Sequence, residues 1–141
     1  MKRTLALLAV CYAAGQIGGL LRLLFLVGLD QGGALQMAAV RLTFHADQLS
    51  LYREMIWGGL WGLPFFLVLN APRFRRHWIR KGLWLSLLPS LFELLYLLPN
   101  LPGCDLFGLG CGNLTPLVVV LANMVWGGLT GVTIRLLWGR G

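Results

Sequence analysis

Apolar residues along this chain gather into four long runs, separated by short breaks that are polar or rich in glycine and proline. Each run covers roughly 17 to 26 residues, long enough at the helical rise of about 1.5 Å per residue to cross about 30 Å of hydrocarbon. The pattern predicts spans over residues 4–28, 51–69, 82–98 and 114–138. The first ends at Asp30-Gln31-Gly32-Gly33, where glycines and a charge mark a turn. The second is stopped by Asn70-Ala71-Pro72, because proline has no amide hydrogen and fits a helix interior poorly. The third contains Pro89, which predicts a kink, with Ser86 placed to satisfy a freed carbonyl. A loop carrying Pro99, Pro102, Gly103, Gly108, Gly110 and Gly112 then leads to Thr115-Pro116, a helix-opening pair.

Between the first two spans the pattern changes. Over residues 34–50, Leu35, Ala38, Ala39, Leu42, Ala46 and Leu49 recur at helical spacing, while Arg41, His45 and Gln48 share another face. That is the signature of an amphipathic helix, lying along the interface or running on into the second span. The expected fold is therefore all-α: one transmembrane domain over residues 1–141, an integral membrane four-helix bundle with an extra amphipathic helix between the first and second spans.

Composition strengthens the membrane reading. Of 141 residues, 57% are apolar and 12% charged, well outside globular usage. The net charge of +7 raises the question of nucleic acid, and the placement of the charges answers it. Lys2 and Arg3 open the chain, Arg73, Arg75, Arg76, Arg80 and Lys81 fall in one connection, and Arg135 and Arg140 close it. By the positive-inside rule this predicts a multi-pass protein of the plasma (inner) membrane with both termini cytoplasmic, leaving Arg41 and Arg53 on the far side. No groove-reading motif accompanies the basic loop, so the lipid bilayer and not nucleic acid is the expected partner. The start resembles a secretory signal, and Leu8-Ala9-Val10-Cys11 resembles a lipoprotein box. Val10 is large, however, and the apolar run continues to Leu29, so an uncleaved first helix is expected.

Two similar strings stand out: Met55-Ile56-Trp57-Gly58-Gly59-Leu60-Trp61-Gly62 in the second span and Met124-Val125-Trp126-Gly127-Gly128-Leu129-Thr130-Gly131 in the fourth. Both spans run in the same direction, which suggests a parallel internal repeat of two helix pairs. The glycine pairs Gly15 and Gly19, Gly58 and Gly62, and Gly127 and Gly131 each stand four apart. Each pair puts two side-chain-free patches on one helix face, where a neighbouring backbone can approach closely. Packing within the bundle is the first reading; a seam with a second copy or a partner subunit, or a lining for a substrate path, are the others. The nearby Trp57, Trp61 and Trp126 are expected to pack or anchor at the interface.

Charges inside the spans are rarer. Arg22 and Glu93 each lie roughly six residues from the same-side end of their helix, about 9 Å below the surface. An unpaired charge there is costly, so an intramembrane ion pair is expected between them, against snorkelling of Arg22 or proton handling by Glu93. Gln16 and Asn123 could add interhelical hydrogen bonds or a thin polar track. Cys104 and Cys111 flank six residues of the loop placed outside, where an oxidising compartment permits a disulfide; the spacing is not that of a redox-active pair. Cys11 reads as an inert apolar residue. His45, Asp47 and His77 cannot share one metal site, no histidine pair is placed for haem, and no nucleophile–base set or phosphate loop is present. No metal, cofactor or catalysis is expected.

Gly15-Gln16-Ile17-Gly18-Gly19-Leu20-Leu21-Arg22 resembles the glycine-rich, arginine-ending first helix of small four-helix fluoride channels. The asparagine-bearing second helix and the paired Phe-Ser elements of that family have no counterpart, so the resemblance carries no function. The expected role is that of a non-enzymatic membrane protein acting through helix packing, as an accessory or assembly subunit joined to other membrane subunits or to itself. A small homo-oligomeric channel or transporter for an ion or small solute is the alternative.

Overall fold

The computed structural model describes residues 2–70 and 77–139. Arg73, Arg75, Arg76 and Arg140, on which part of the charge argument rests, lie outside them. The described chain is all-α, without a strand. Helix α1 covers Lys2–Gln31 and is followed by a single turn, α2 (Ala34–Met37). Helices α3 (Gln48–Gly62) and α4 (Pro64–Asn70) follow in close succession. After α5 (Trp78–Leu85) and α6 (Leu87–Phe92), the rod continues as a π-helical turn, Glu93–Leu97, and a 3₁₀ turn, Leu98–Asn100. Tight turns over Leu106–Cys111 lead to α7 (Thr115–Trp138).

Three stretches, Lys2–Gln31, Trp78–Asn100 and Thr115–Trp138, are long and apolar enough to cross a membrane. Their outward faces are apolar: Leu24, Trp84, Leu91, Leu121 and Leu136 are all exposed. Water would disfavour so continuous an apolar exterior, whereas a bilayer would cover it.

The second expected span is interrupted. Pro64 has no N–H to give to the preceding turn, which separates α3 from α4, although Leu63 keeps helical dihedrals (φ −60°, ψ −39°). The helix also starts earlier than expected, at Gln48, because Asp47 caps it by accepting the Ser50 N–H. That hydrogen bond is the leading cause that holds the Asp47 carboxyl below its ordinary range. In the third stretch, the Pro89 break falls between α5 and α6. Ser86 Oγ donates to the Leu83 carbonyl at 2.6 Å and Ser90 Oγ to that of Ser86 at 2.7 Å, so Ser86 serves a carbonyl two residues before the one that Pro89 leaves free.

The amphipathic helix expected over residues 34–50 does not form. After one turn, Ala39 adopts a left-handed conformation (φ 55°). The Val40 N–H then bonds to the Leu35 carbonyl and the Ala39 N–H to that of Gln36, the paired bonds of a Schellman ending. Val40 and Leu35 are buried in the same apolar cluster, the contact that accompanies this ending. The segment beyond is a non-helical strap whose amides are satisfied from elsewhere: Arg41 N–H by the Cys111 carbonyl at 2.7 Å, and Phe44 N–H by Asp30 Oδ2 at 2.8 Å. Tertiary partners replace the helical ladder here.

In cross-section α1 is central, packed against α3 on one side and α7 on the other, with α5 beyond α7. Both close seams are made by the repeated string. A methyl group on Gly58 would collide with the Gly15 carbonyl, and one on Gly62 with that of Cys11. Likewise a methyl group on Gly127 would collide with the Gly82 carbonyl, and one on Gly131 with that of Trp78. The partners Gly15 and Cys11 are spaced as Gly82 and Trp78 are, so α1 with α3 and α5 with α7 are equivalent hairpins. Gly19 completes the first seam, against the backbone of Glu54. The two hairpins join through α1 and α7, where Gly18 faces Thr130 and Trp126, and the Trp126 indole donates to the Gly15 carbonyl at 3.2 Å.

Candidate functional site

The arrangement leaves one side of the ring open. Helix α3 has no extensive backbone contact with α6 or the π-helical turn, whereas α4 meets α5 near the end that bears the termini. The two hairpins therefore converge at that end and splay apart toward the Cys104–Cys111 loop. A cavity of about 350 Å³ fills the space between α3 and α6, with the strap residues Thr43 and Phe44 and Leu101 at its upper rim.

Arg22 stands at the floor of this cleft, only 7% exposed although charged. Its Nη1 lies 2.6 Å from Glu54 Oε2 and its Nη2 2.5 Å from Glu93 Oε1. Asn123, 2% exposed, donates through Nδ2 to Glu93 Oε2 at 2.7 Å and to its own helix at Val119 O, 3.1 Å away. Four helical elements thus meet at one polar node: α1, α3, the π-helical turn and α7. The node is held by charge-assisted hydrogen bonds, the stronger class. Arg22 Nε is buried and finds no partner among the described residues.

Local backbone explains the reach of Glu93. It opens the π-helical turn, in which the Leu98 N–H bonds to the carbonyl of Glu93 itself, five residues back. Its side chain shares the inward face with the buried Pro89, Ser90 and Leu94, at helical spacing, while Leu95 and Tyr96 face out. Glu54 is set by the repeat. It immediately precedes the string that starts at Met55, as Asn123 precedes the string that starts at Met124. Glu54 and Asn123 are therefore equivalent positions of the two hairpins, and both turn to the node.

The remaining walls are largely apolar, aliphatic and aromatic side chains together. The rings of Trp57 and Trp61 approach Phe92 across the cleft, with centroids 5.8 and 5.7 Å apart. Trp57 and Trp126 are repeat partners in unlike settings. Trp126 is 2% exposed and Trp57 42%, because α7 is flanked on two sides whereas α3 borders the open cleft.

Of the other residues singled out in the sequence, the glycine pairs lie in seams within the chain. Gln16 sits beside Gly59 and Tyr12, away from the cavity that Asn123 lines, so the two do not form one track. Cys104 and Cys111 are joined as a disulfide, with Cα atoms 4.9 Å apart, and the loop they close receives the strap: Arg41 donates to the Gly110 carbonyl at 2.5 Å. Glu54, the third charge of the node, is not among the residues that the sequence pattern singles out. Among the described residues no group of three histidine, cysteine, aspartate or glutamate side chains could hold a metal ion. No family model matches the chain, and no curated protein or solved structure matches it either.

Proposed function

We propose that this chain is a non-enzymatic, four-crossing membrane protein that binds a small solute in the cleft between its two hairpins, as a channel or transporter would. In this reading α3 and α4 together form the fourth crossing. Residues 48–70 at helical rise reach about 34 Å, enough to span. The observation that carries the proposal is the polar node itself. A charge buried at membrane depth is costly, and such residues usually mark a ligand or ion path. Here the charges floor a cavity rather than a filled core. The size of that cavity is at the lower end of small-molecule sites.

The alternative, an accessory subunit held to partners by glycine faces, loses its main support, since these faces already pack helix against helix within the chain. Parallel repeats around an axis along the membrane normal are also a known transporter plan, with the site between repeats. The proposal places the termini in the cytoplasm, because Lys2, Arg3, Arg80, Lys81 and Arg135 gather at that end and the disulfide loop at the other. A reporter enzyme active only in the cytoplasm should work when fused after Gly139 and fail when inserted between Leu101 and Pro102; the reverse pattern would overturn the orientation.

The binding claim is tested on the full chain in lipid nanodiscs by tryptophan fluorescence, since Trp57 and Trp61 rim the cleft. A panel of alkylammonium ions, short-chain carboxylates and uncharged alcohols should yield saturable binding by one class. Leu97→Trp, which places a large ring in the cavity from a residue that is already 39% exposed, should abolish it without unfolding the protein. Saturable binding by no class, or undiminished binding in Leu97→Trp, would contradict the proposal.

A further inference from the structure

The geometry points to a small organic cation as the solute, with Glu54 as the residue that selects it; this rests on reading the cleft as a binding site. The polar node is out of electrical balance. One guanidinium faces two carboxylates, and Asn123 adds a neutral amide. Arg53 also borders the cavity but is exposed and makes no ion pair with either carboxylate among the described residues. In a medium of low polarity an excess negative charge is unfavourable, and a cation entering the cleft would offset it.

The two carboxylates are not equally available. Both oxygens of Glu93 are engaged, Oε1 by Arg22 and Oε2 by Asn123. Among the described residues Glu54 is engaged at Oε2 alone, by Arg22, so Oε1 is the acceptor offered to a ligand. Glu54 also lies on α3, the helix that borders the opening. The repeat supplies the comparison that isolates this charge: the equivalent position of the other hairpin is Asn123, a neutral amide on a side chain one methylene shorter. Replacing Glu54 by asparagine would leave one guanidinium against one carboxylate, flanked by two amides.

The walls favour an organic over a hydrated inorganic cation. Trp57, Trp61 and Phe92 close on one another across the cleft. Ring faces attract ammonium groups, whereas these apolar surfaces cannot replace the water shell of a small metal ion. A carboxylate oxygen beside aromatic rings is the recognition pattern for an alkylammonium group.

The test compares tetramethylammonium with tert-butanol, a neutral molecule of similar shape, and with acetate, on the wild-type chain and on Glu54→Asn and Glu93→Gln in nanodiscs. The wild-type chain should bind tetramethylammonium saturably and tert-butanol far more weakly. Loss of a charged partner should weaken cation binding by about ten- to a hundredfold in Glu54→Asn, while the variant stays folded because Arg22 keeps Glu93 as its counter-charge. Glu93→Gln should lose stability more than selectivity. Equal binding of tetramethylammonium and tert-butanol by the wild-type chain, which needs no variant to fold, would overturn the proposal, as would unchanged cation binding in Glu54→Asn. Binding of acetate or tert-butanol alone would overturn the cation while leaving the cleft as a site. Binding of none of the three solutes would remove the cation, and binding of no panel member would remove the cleft reading with it.

Discussion

Arg22 is the residue on which the energetics turn. Removing one member of a buried ion pair leaves its partner's charge uncompensated, and such changes cost about 3–5 kcal/mol. Arg22→Leu leaves two carboxylates facing one another, so a loss in that range is expected from thermal or denaturant unfolding in micelles. Adding Glu54→Asn and Glu93→Gln to Arg22→Leu should recover most of it, because the triple variant buries no net charge. A loss below about 1 kcal/mol for Arg22→Leu would place the guanidinium in water, not in the node. Arg22, Glu93 and Asn123 were legible in the sequence because a charge or amide inside a long apolar run has few explanations. Glu54 was not, since it stands beside Arg53 near the start of its helix and reads there as a headgroup-level charge. The signal that could have found it is its place before the repeated string, matching that of Asn123.

Among the elements, the glycine seams give the sharpest contrast because neighbouring glycines in one string play unlike parts. A methyl group at Gly127 would strike the Gly82 carbonyl, while at Gly128 nothing stands within reach. Gly127→Ala is expected to destabilise the chain by about 1–3 kcal/mol through forced separation of α5 from α7. Gly128→Ala is expected to be neutral, or to stabilise by up to about 1 kcal/mol through helix propensity. Equal effects in unfolding measurements would deny the close approach. The spacing of these glycines was readable, and so were three of the long helices. The strap was not. Residues 34–50 carry a helical apolar period, yet periodicity speaks only to local burial, while the decisive contacts come from far along the chain: the Cys111 carbonyl, the Gly110 carbonyl and a left-handed Ala39 that Gly112 packs against. The interruption at Pro64 is masked in the sequence by the continuous apolar run around it.

Across the whole molecule, two equivalent hairpins join along α1 and α7, close at the end that bears the termini and part at the disulfide end. The consequence is a polar node that four helical elements build and that a cavity borders on the open side, between α3 and α6. The same node at the centre of a closed bundle would be a structural lock with no room for a ligand; in this open ring it borders a cavity. The most direct test is covalent. A membrane-permeant carbodiimide, applied to the folded chain in lipid nanodiscs and followed by peptide mass mapping, reports which buried carboxylate a small reagent can reach. Modification is expected at Glu54, slowed by tetramethylammonium, with Glu93 spared because Arg22 and Asn123 hold both of its oxygens. Absence of any adduct on Glu54 while the protein remains folded would contradict the account.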